Sequence, residues 1–326
     1  MKKVLLTLAV AAMLAGCAND ELIDLNQESI TFDSFVDNAT RAAIDGTYTT
    51  ATLNEFQVYG TIGNTSGTAN IFNGERVVRG SSLGQGVNWS YNLNNTQYWI
   101  AGNTYNFRAI AEGNVTDVTE ATVDGNKMLT GVSLEDASAQ KDILLAEMLG
   151  VEYTSGPKTV SFTFNHLLSK VKFTFKNTIL TNNGYGYKVS DIAITNAAKN
   201  ATYTIASGWD TTSSTPYSQG FGNATTADTA DADATLIAHG GSAESNYERL
   251  VVPAEKAWTV SFTTKLYKDG VLIETQNENI TTPSIKLEKG TAYNFVVSLG
   301  NPGEPIQFTV TSVKGWDTTG GDKAVN

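Results

Sequence analysis

Cys17 is the only cysteine of the chain and directly follows Leu14-Ala15-Gly16. Ahead of it come Lys2, Lys3 and an apolar run from Val4 to Met13. That run is too short to cross a bilayer and has the flanking charge and length of an export signal. Small residues before a cysteine suit a signal-peptidase groove, and the thiol beyond them is a nucleophile that can carry a thioether-linked lipid. Residues 1–16 are therefore expected to be a lipoprotein signal peptide, with Cys17 the lipidated N-terminus. An ordinary secretory signal with a chance cysteine is the plainer alternative. Two acyl chains hold a protein stably on a membrane, where one chain is marginal. A single cysteine also excludes an intramolecular disulfide.

Arg41 is a second position with chemical potential, being the only arginine in the first 75 residues. It lies in Asn38-Ala-Thr-Arg41-Ala42-Ala43, a small, polar stretch between two apolar-patterned segments. Such a stretch would expose a trypsin-like cleavage site, although spacing alone favours a plain linker arginine. Catalytic sets are poorly represented. His166 and His239 are the only histidines. His166 follows Phe164 in a strand pattern, the setting of a packed structural histidine, and His239 precedes Gly240-Gly241 as a loop residue would. No nucleophile elbow accompanies them. Two scattered histidines without a spare cysteine make no zinc site. Asp228, Asp231 and Asp233 lack EF-hand spacing and are expected in a solvated acidic loop. No catalysis, metal or cofactor is expected.

The elements around these residues are strands. Thr, Val, Tyr and Phe favour pleated, half-buried segments, and Gly, Asn and Asp supply turns. Ile30, Phe32, Phe35 and Val36 read as one strand before Arg41. Later runs include Leu53 to Ile62, Tyr105 to Ala109, Val160 to His166, Val171 to Phe175, Trp258 to Thr264 and Tyr293 to Leu299. Lys268-Asp269-Gly270 suits a tight hairpin. A last alternating run holds Ile306, Phe308 and Val310, with Val313 and Trp316 beyond. Thr154-Ser-Gly-Pro-Lys158 is the best linker candidate. These patterns predict an all-β chain with an N-terminal β-sandwich over 42–154 and a C-terminal one over 159–326. Trp99 and Trp258 alternate as core residues do. Trp89, Trp209 and Trp316 lie near turns and would be the rings of a glycan-stacking surface.

Charge narrows the partners. With 33 Asp and Glu against 22 Lys and Arg, the net charge is −11. A sparse, acidic charge set argues against nucleic acid and anionic lipid headgroups.

Three features together resemble the fimbrillin family, the subunits of type V pili and their relatives. They are the Cys17 lipobox with the Thr40-Arg41-Ala42 step, Asp142-Ile-Leu-Leu-Ala146, and Val160-Ser-Phe-Thr-Phe-Asn-His166-Leu-Leu-Ser-Lys-Val171. The resemblance implies two tandem transthyretin-like, Greek-key sandwiches and no enzyme activity. It implies export as a lipoprotein to the outer membrane and cleavage between Arg41 and Ala42 by an arginine-specific protease. The product would join other pilus subunits in a surface fimbrium. Residues 17–41 would be a propeptide, and the strand of Ile30, Phe32, Phe35 and Val36 would leave with it. A strand from another subunit would fill the gap, and the candidate donor is the segment near 304–316, with Ile306, Phe308, Val310, Val313 and Trp316. Four large apolar residues at roughly 1.5–3 kcal/mol each give a gross gain of about 6–12 kcal/mol, before association costs. Two placements of the donor segment stay open: donation to a neighbour, or completion of its own second domain, as in a tip or accessory subunit. The alternative function is a permanently anchored surface lipoprotein that binds glycans through exposed aromatics.

Overall fold

Alternating apolar residues become strands almost wherever the sequence offers them. A computed structural model of the chain describes residues 27–36, 53–65, 67–111, 115–117, 130–133, 140, 142–181, 183–225, 235–314 and 323–324. Regular structure among these is β, apart from one short 3-10 turn at Leu93–Asn95. The chain is all-β.

The first strands are β1 (Thr31–Val36), β2 (Glu55–Asn64), β3 (Gly67–Arg79), β4 (Gly84–Gln85), β5 (Trp89–Asn92) and β6 (Asn103–Ala111). Then come β7 (Val115–Asp117), β8 (Thr130–Ser133), β9 (Leu144–Tyr153), β10 (Thr159–His166), β11 (Ser169–Asn177) and β12 (Tyr185–Ala198). Shorter pieces follow: β13 (Asn200–Thr204), β14 (Gly208–Asp210), β15 (Pro216–Gly222), β16 (Ile237–Ala238), β17 (Ser242–Glu244) and β18 (Arg249–Val251). The last are β19 (Glu255–Lys268), β20 (Val271–Lys286), β21 (Thr291–Leu299), β22 (Gln307–Lys314) and β23 (Lys323–Ala324).

The first sandwich is one eight-stranded sheet in the order β1-β10-β9-β6-β2-β3-β5-β4. It curls until its ends meet, because Phe32 of β1 touches the rings of Phe72 and Tyr91 from β3 and β5. The core inside holds Ile30, Phe32, Phe56, Phe107, Phe162 and Phe164 among others. The second sandwich faces the sheet β17-β11-β21-β22-β23 against β15-β12-β19-β20. Its core includes Phe173, Phe175, Trp258, Phe262 and Phe295. The hairpin expected at Lys268-Asp269-Gly270 joins β19 to β20, with φ of 51° at Asp269 and 80° at Gly270. Two successive positive φ values are what a tight turn between twisted strands requires.

The boundary between the sandwiches differs from the one expected. Thr154 to Lys158 connects β9 to β10, two antiparallel neighbours in one sheet. Val160, Phe162 and Phe164 thus belong to the first core rather than opening the second domain. The chain crosses at Leu167 and Leu168, 1% and 0% exposed. The two leucines lie in a third core with Ile110, Ile143, Tyr203 and Leu250. A Ser-Gly-Pro turn looks the same in sequence whether it links domains or strands, and the true crossing is apolar because it is buried. A four-stranded sheet, β14-β13-β8-β7, further joins first-half and second-half segments.

Candidate assembly site at the first sandwich edge

β1 closes one edge of the first sandwich and pairs parallel with β10. The register sets Phe32 beside Val160, Ser34 beside Phe162 and Val36 beside Phe164. Alternation sends Ile30, Phe32 and Ser34 inward, at 0%, 3% and 5% exposure. Phe32 anchors the strand. Its ring lies 5.4 Å from Phe72, 5.6 Å from Tyr91, 6.2 Å from Phe107 and 5.9 Å from Phe162. Aromatic pairs in this range add to the stabilisation from area burial. The Ser34 hydroxyl is buried with no hydrogen-bond partner among the described residues. Phe35 and Val36 pair through their backbones with Thr163 and Phe164, and their side chains lie outside the described residues.

The segment just before β1 is held from its other side. Ile30 N–H donates to the Gln97 carbonyl at 2.8 Å, and Trp99 N–H donates to the Glu28 carbonyl at 2.9 Å. The Tyr91 hydroxyl donates to the Ile30 carbonyl at 2.9 Å. Burial pushes the Tyr91 phenol well above its usual range, so it keeps the proton it donates. Gln85 Nε2 donates to Ser29 Oγ at 2.6 Å. The 97–99 segment is itself fixed by Trp99, whose indole N–H reaches the Lys158 carbonyl at 2.9 Å and whose ring stacks on Tyr153 at 5.2 Å. Tyr91, Gln85 and Gln97 were not singled out from sequence. They act through loop backbone and a ring hydroxyl, which leave no periodic trace.

β1 is therefore an N-terminal strand seated between β10 and the 97–99 segment. The next described residue along the chain is Leu53, so the connection holding Arg41 and Ala42 lies outside the described residues, as does Cys17.

The C-terminal segment folds back. β22 pairs antiparallel with β21, with Phe308 beside Val297 and Val310 beside Phe295. Val310 is 5% exposed in the second core, while Ile306 and Phe308 pack on it half-buried. Val313 pairs with Ala292 through the backbone; its side chain and all of Trp316 lie outside the described residues.

Other candidate chemistry takes structural places. His166 Nδ1 contacts the wholly buried Asp142, whose other oxygen accepts the Ile143 N–H at 2.8 Å. Nearby, Lys170 Nζ lies 3.2 Å from Glu248. Burial pushes the Asp142 carboxyl above its ordinary range, with His166 acting the other way. His239 is exposed in a turn. Among the described residues no three His, Cys, Asp or Glu side chains are grouped to hold a metal, and Asp228, Asp231 and Asp233 lie outside them. Trp89, expected near a surface, is 3% exposed with the Arg79 guanidinium 4.9 Å over its ring. Trp99 and Trp258 are core residues, as expected. Trp209 is partly buried on the third core and donates to the Leu167 carbonyl. These four rings are thus engaged in packing rather than forming a stacking surface.

Comparison with known proteins places this architecture. Among solved structures, a fimbrial protein from Bacteroides vulgatus ATCC 8482 superposes with a TM-score of 0.66 at 14% identity, over 88% of this chain and 99% of that one. A candidate cell adhesion protein from Parabacteroides distasonis ATCC 8503 gives 0.52 at 11% identity, over 88% and 96%. These likenesses show a shared fold. No curated protein matches the chain. The family model described as fimbrillin-like matches residues 40–316, well over half of the sequence. The chain belongs to the fimbrillin-like family, whose members are structural proteins rather than enzymes.

Proposed function

We propose that this chain is a structural or adhesive pilus subunit, exported as a lipoprotein on Cys17, cleaved between Arg41 and Ala42, and assembled by strand exchange at the cell surface. The seating of β1 carries the reading. It is a strand that fills the first core, precedes Arg41 in the chain, and has no described element before it. A cut after Arg41 would leave β1 held by non-covalent contacts alone. Its departure would uncover an apolar groove and the unpaired edge of β10. A strand from another subunit restores both, with main-chain bonds for affinity and alternate pockets for register. Such a head-to-tail contact need not close on itself, so it extends into a filament. The start of the family match at residue 40 supports a mature chain beginning beside Arg41. With β1 seated in the first sandwich and β22 at home in its own sheet, the groove of the precursor is filled, and cleavage is the trigger.

The test is the full precursor in detergent, treated with an arginine-specific protease. The expected product begins at Ala42, loses residues 1–41 and forms a ladder of oligomers. Arg41 resisting cleavage in the folded protein, or a cleaved chain that sheds β1 and stays monomeric, would overturn the reading. Replacing Cys17 by Ser should move the precursor from the membrane to the soluble fraction.

A further inference from the structure

We infer that the second sandwich binds a small aliphatic polyamine, in a cleft between β20 and the turn that joins β21 to β22. The site is independent of strand exchange, which concerns the first sandwich. Residues opposite each other on paired strands share a face. The register sets Glu274 beside Leu266, Gln276 beside Thr264, Glu278 beside Phe262 and Ile280 beside Val260. Leu266, Phe262 and Val260 belong to the second core. Glu274 and Glu278 therefore stand on the inward face, where alternation calls for apolar side chains. Departures of this kind from local patterning gather at functional sites.

The facing wall is the β21–β22 turn. The Tyr187 hydroxyl donates to the Gly300 carbonyl at 2.8 Å. The Glu304 carboxylate accepts the Asn301 N–H at 2.9 Å and the Asn301 side-chain amide at 2.8 Å. These bonds hold the Glu304 carboxyl below its usual range, so it stays ionised. Between the walls lies a cavity of about 410 Å³, within the size range of small-molecule sites. Glu274, Glu278 and Glu304 line it, and none of them pairs with a Lys or Arg among the described residues. Burial, and then the charges of Glu274, Glu304 and Glu278, push the Tyr187 phenol up. Three negative charges thus converge on one cleft. Thr264 also lines it, on a residue only 5% exposed, and its hydroxyl has no hydrogen-bond partner among the described residues. A buried hydroxyl without a partner is costly, and a ligand N–H would satisfy it. Leu266, Ile280 and Ile306 complete the lining with apolar surface.

The spacing of the charges selects the ligand. Glu274 and Glu278 lie roughly 13 Å apart along the strand, and no three carboxylates among the described residues are grouped to hold a metal ion. Ammonium groups separated by methylene stems match this arrangement. The stems lie on the apolar lining, and the charged ends donate to separate carboxylates.

The test is calorimetric titration of the full precursor in detergent with spermidine. Binding is expected, with butylamine about tenfold weaker or worse because it can make only one charged contact. Glu274→Gln and Glu278→Gln should each weaken spermidine about tenfold. Thr264→Val should weaken it too, while leaving thermal stability unchanged or higher; a threonine that served only the fold would give the opposite pair of results. No binding of spermidine overturns the inference, as does a blocked dilysine peptide binding where spermidine does not. Equal binding by the wild type and the Glu278→Gln variant also overturns it, since attraction to the net charge of the chain would then suffice.

Discussion

β1 and β22 lie near opposite ends of the chain and are seated differently, β1 at the edge of its sheet and β22 between β21 and the two-residue β23. β1 pairs parallel with β10, a partner more than a hundred residues away, and pushes Ile30 and Phe32 into complete burial. β22 pairs antiparallel with β21 across a short loop, and its Phe308, like Ile306 just before the strand, is only half-buried. The strand with the deeper side chains is the one without a short covalent tie to its partner. Depth of packing and closeness in sequence are separate sources of adhesion, and these two strands draw on opposite ones. A strand that depends on depth is decided by its inward side chains, so single changes there should act strongly.

Phe32→Ala is the largest expected effect: a loss of about 3–5 kcal/mol in the urea unfolding of the precursor, together with oligomers that form before any cleavage. A loss confined to about 1 kcal/mol would break the comparison, because β1 would then not be a core strand. His166→Ala comes next, at about 3 kcal/mol, by leaving Asp142 buried without its main partner, with Lys170 still nearby. Its pH dependence sharpens the result. Burial raises the Asp142 carboxyl above its ordinary value of 3.8, against the influence of His166. A group whose folded value is raised favours folding at pH below its unfolded value and loses that contribution as pH rises through the folded one. Removing His166 raises it further, so the deficit of the variant should be greatest at neutral pH and shrink as pH falls toward 3.8. Phe308→Ala should cost less than Phe32→Ala, about 1–2 kcal/mol for a half-buried ring. Unfolding of both variants in parallel ranks the two strands directly. Last, changing exposed Val271, Leu272 and Ile273 together to Thr should shift stability by no more than about 0.5 kcal/mol. These residues start β20, an edge with no inward role at that end, and equilibrium unfolding checks them.

Much of the fold was legible because alternation reports which side chains turn inward. Val160, Phe162 and Phe164 read plainly as one buried face, as did Trp258, Val260 and Phe262. Alternation does not report which core receives that face, so nothing local distinguishes a β10 in the first sandwich from one in the second. The parallel partnership of β1 with β10 was equally hidden, since no local signal spans that separation. Ile30 and Phe32 were legible as a strand, but the latch of Tyr91, Gln85 and the 97–99 segment was not, because backbone carbonyls look alike in every sequence. Turn-rich surroundings point Trp89 toward the surface, yet its ring lies under Arg79 in the first core.

The crossing from β10 to β11 has a mechanical consequence. Only Leu167 and Leu168 separate the two strands, and Leu167 N–H, Leu168 carbonyl and the Ser169 hydroxyl are each tied to a neighbouring segment. A guest strand lying along β10 would pass any pull on the fibre to β10 as shear. With no slack at the crossing, that tension would run straight into β11, which sits inside the second sandwich between β17 and β21. The subunit is thereby built to stretch little, and a fibre made of it would yield at the seams between subunits before it yields within one.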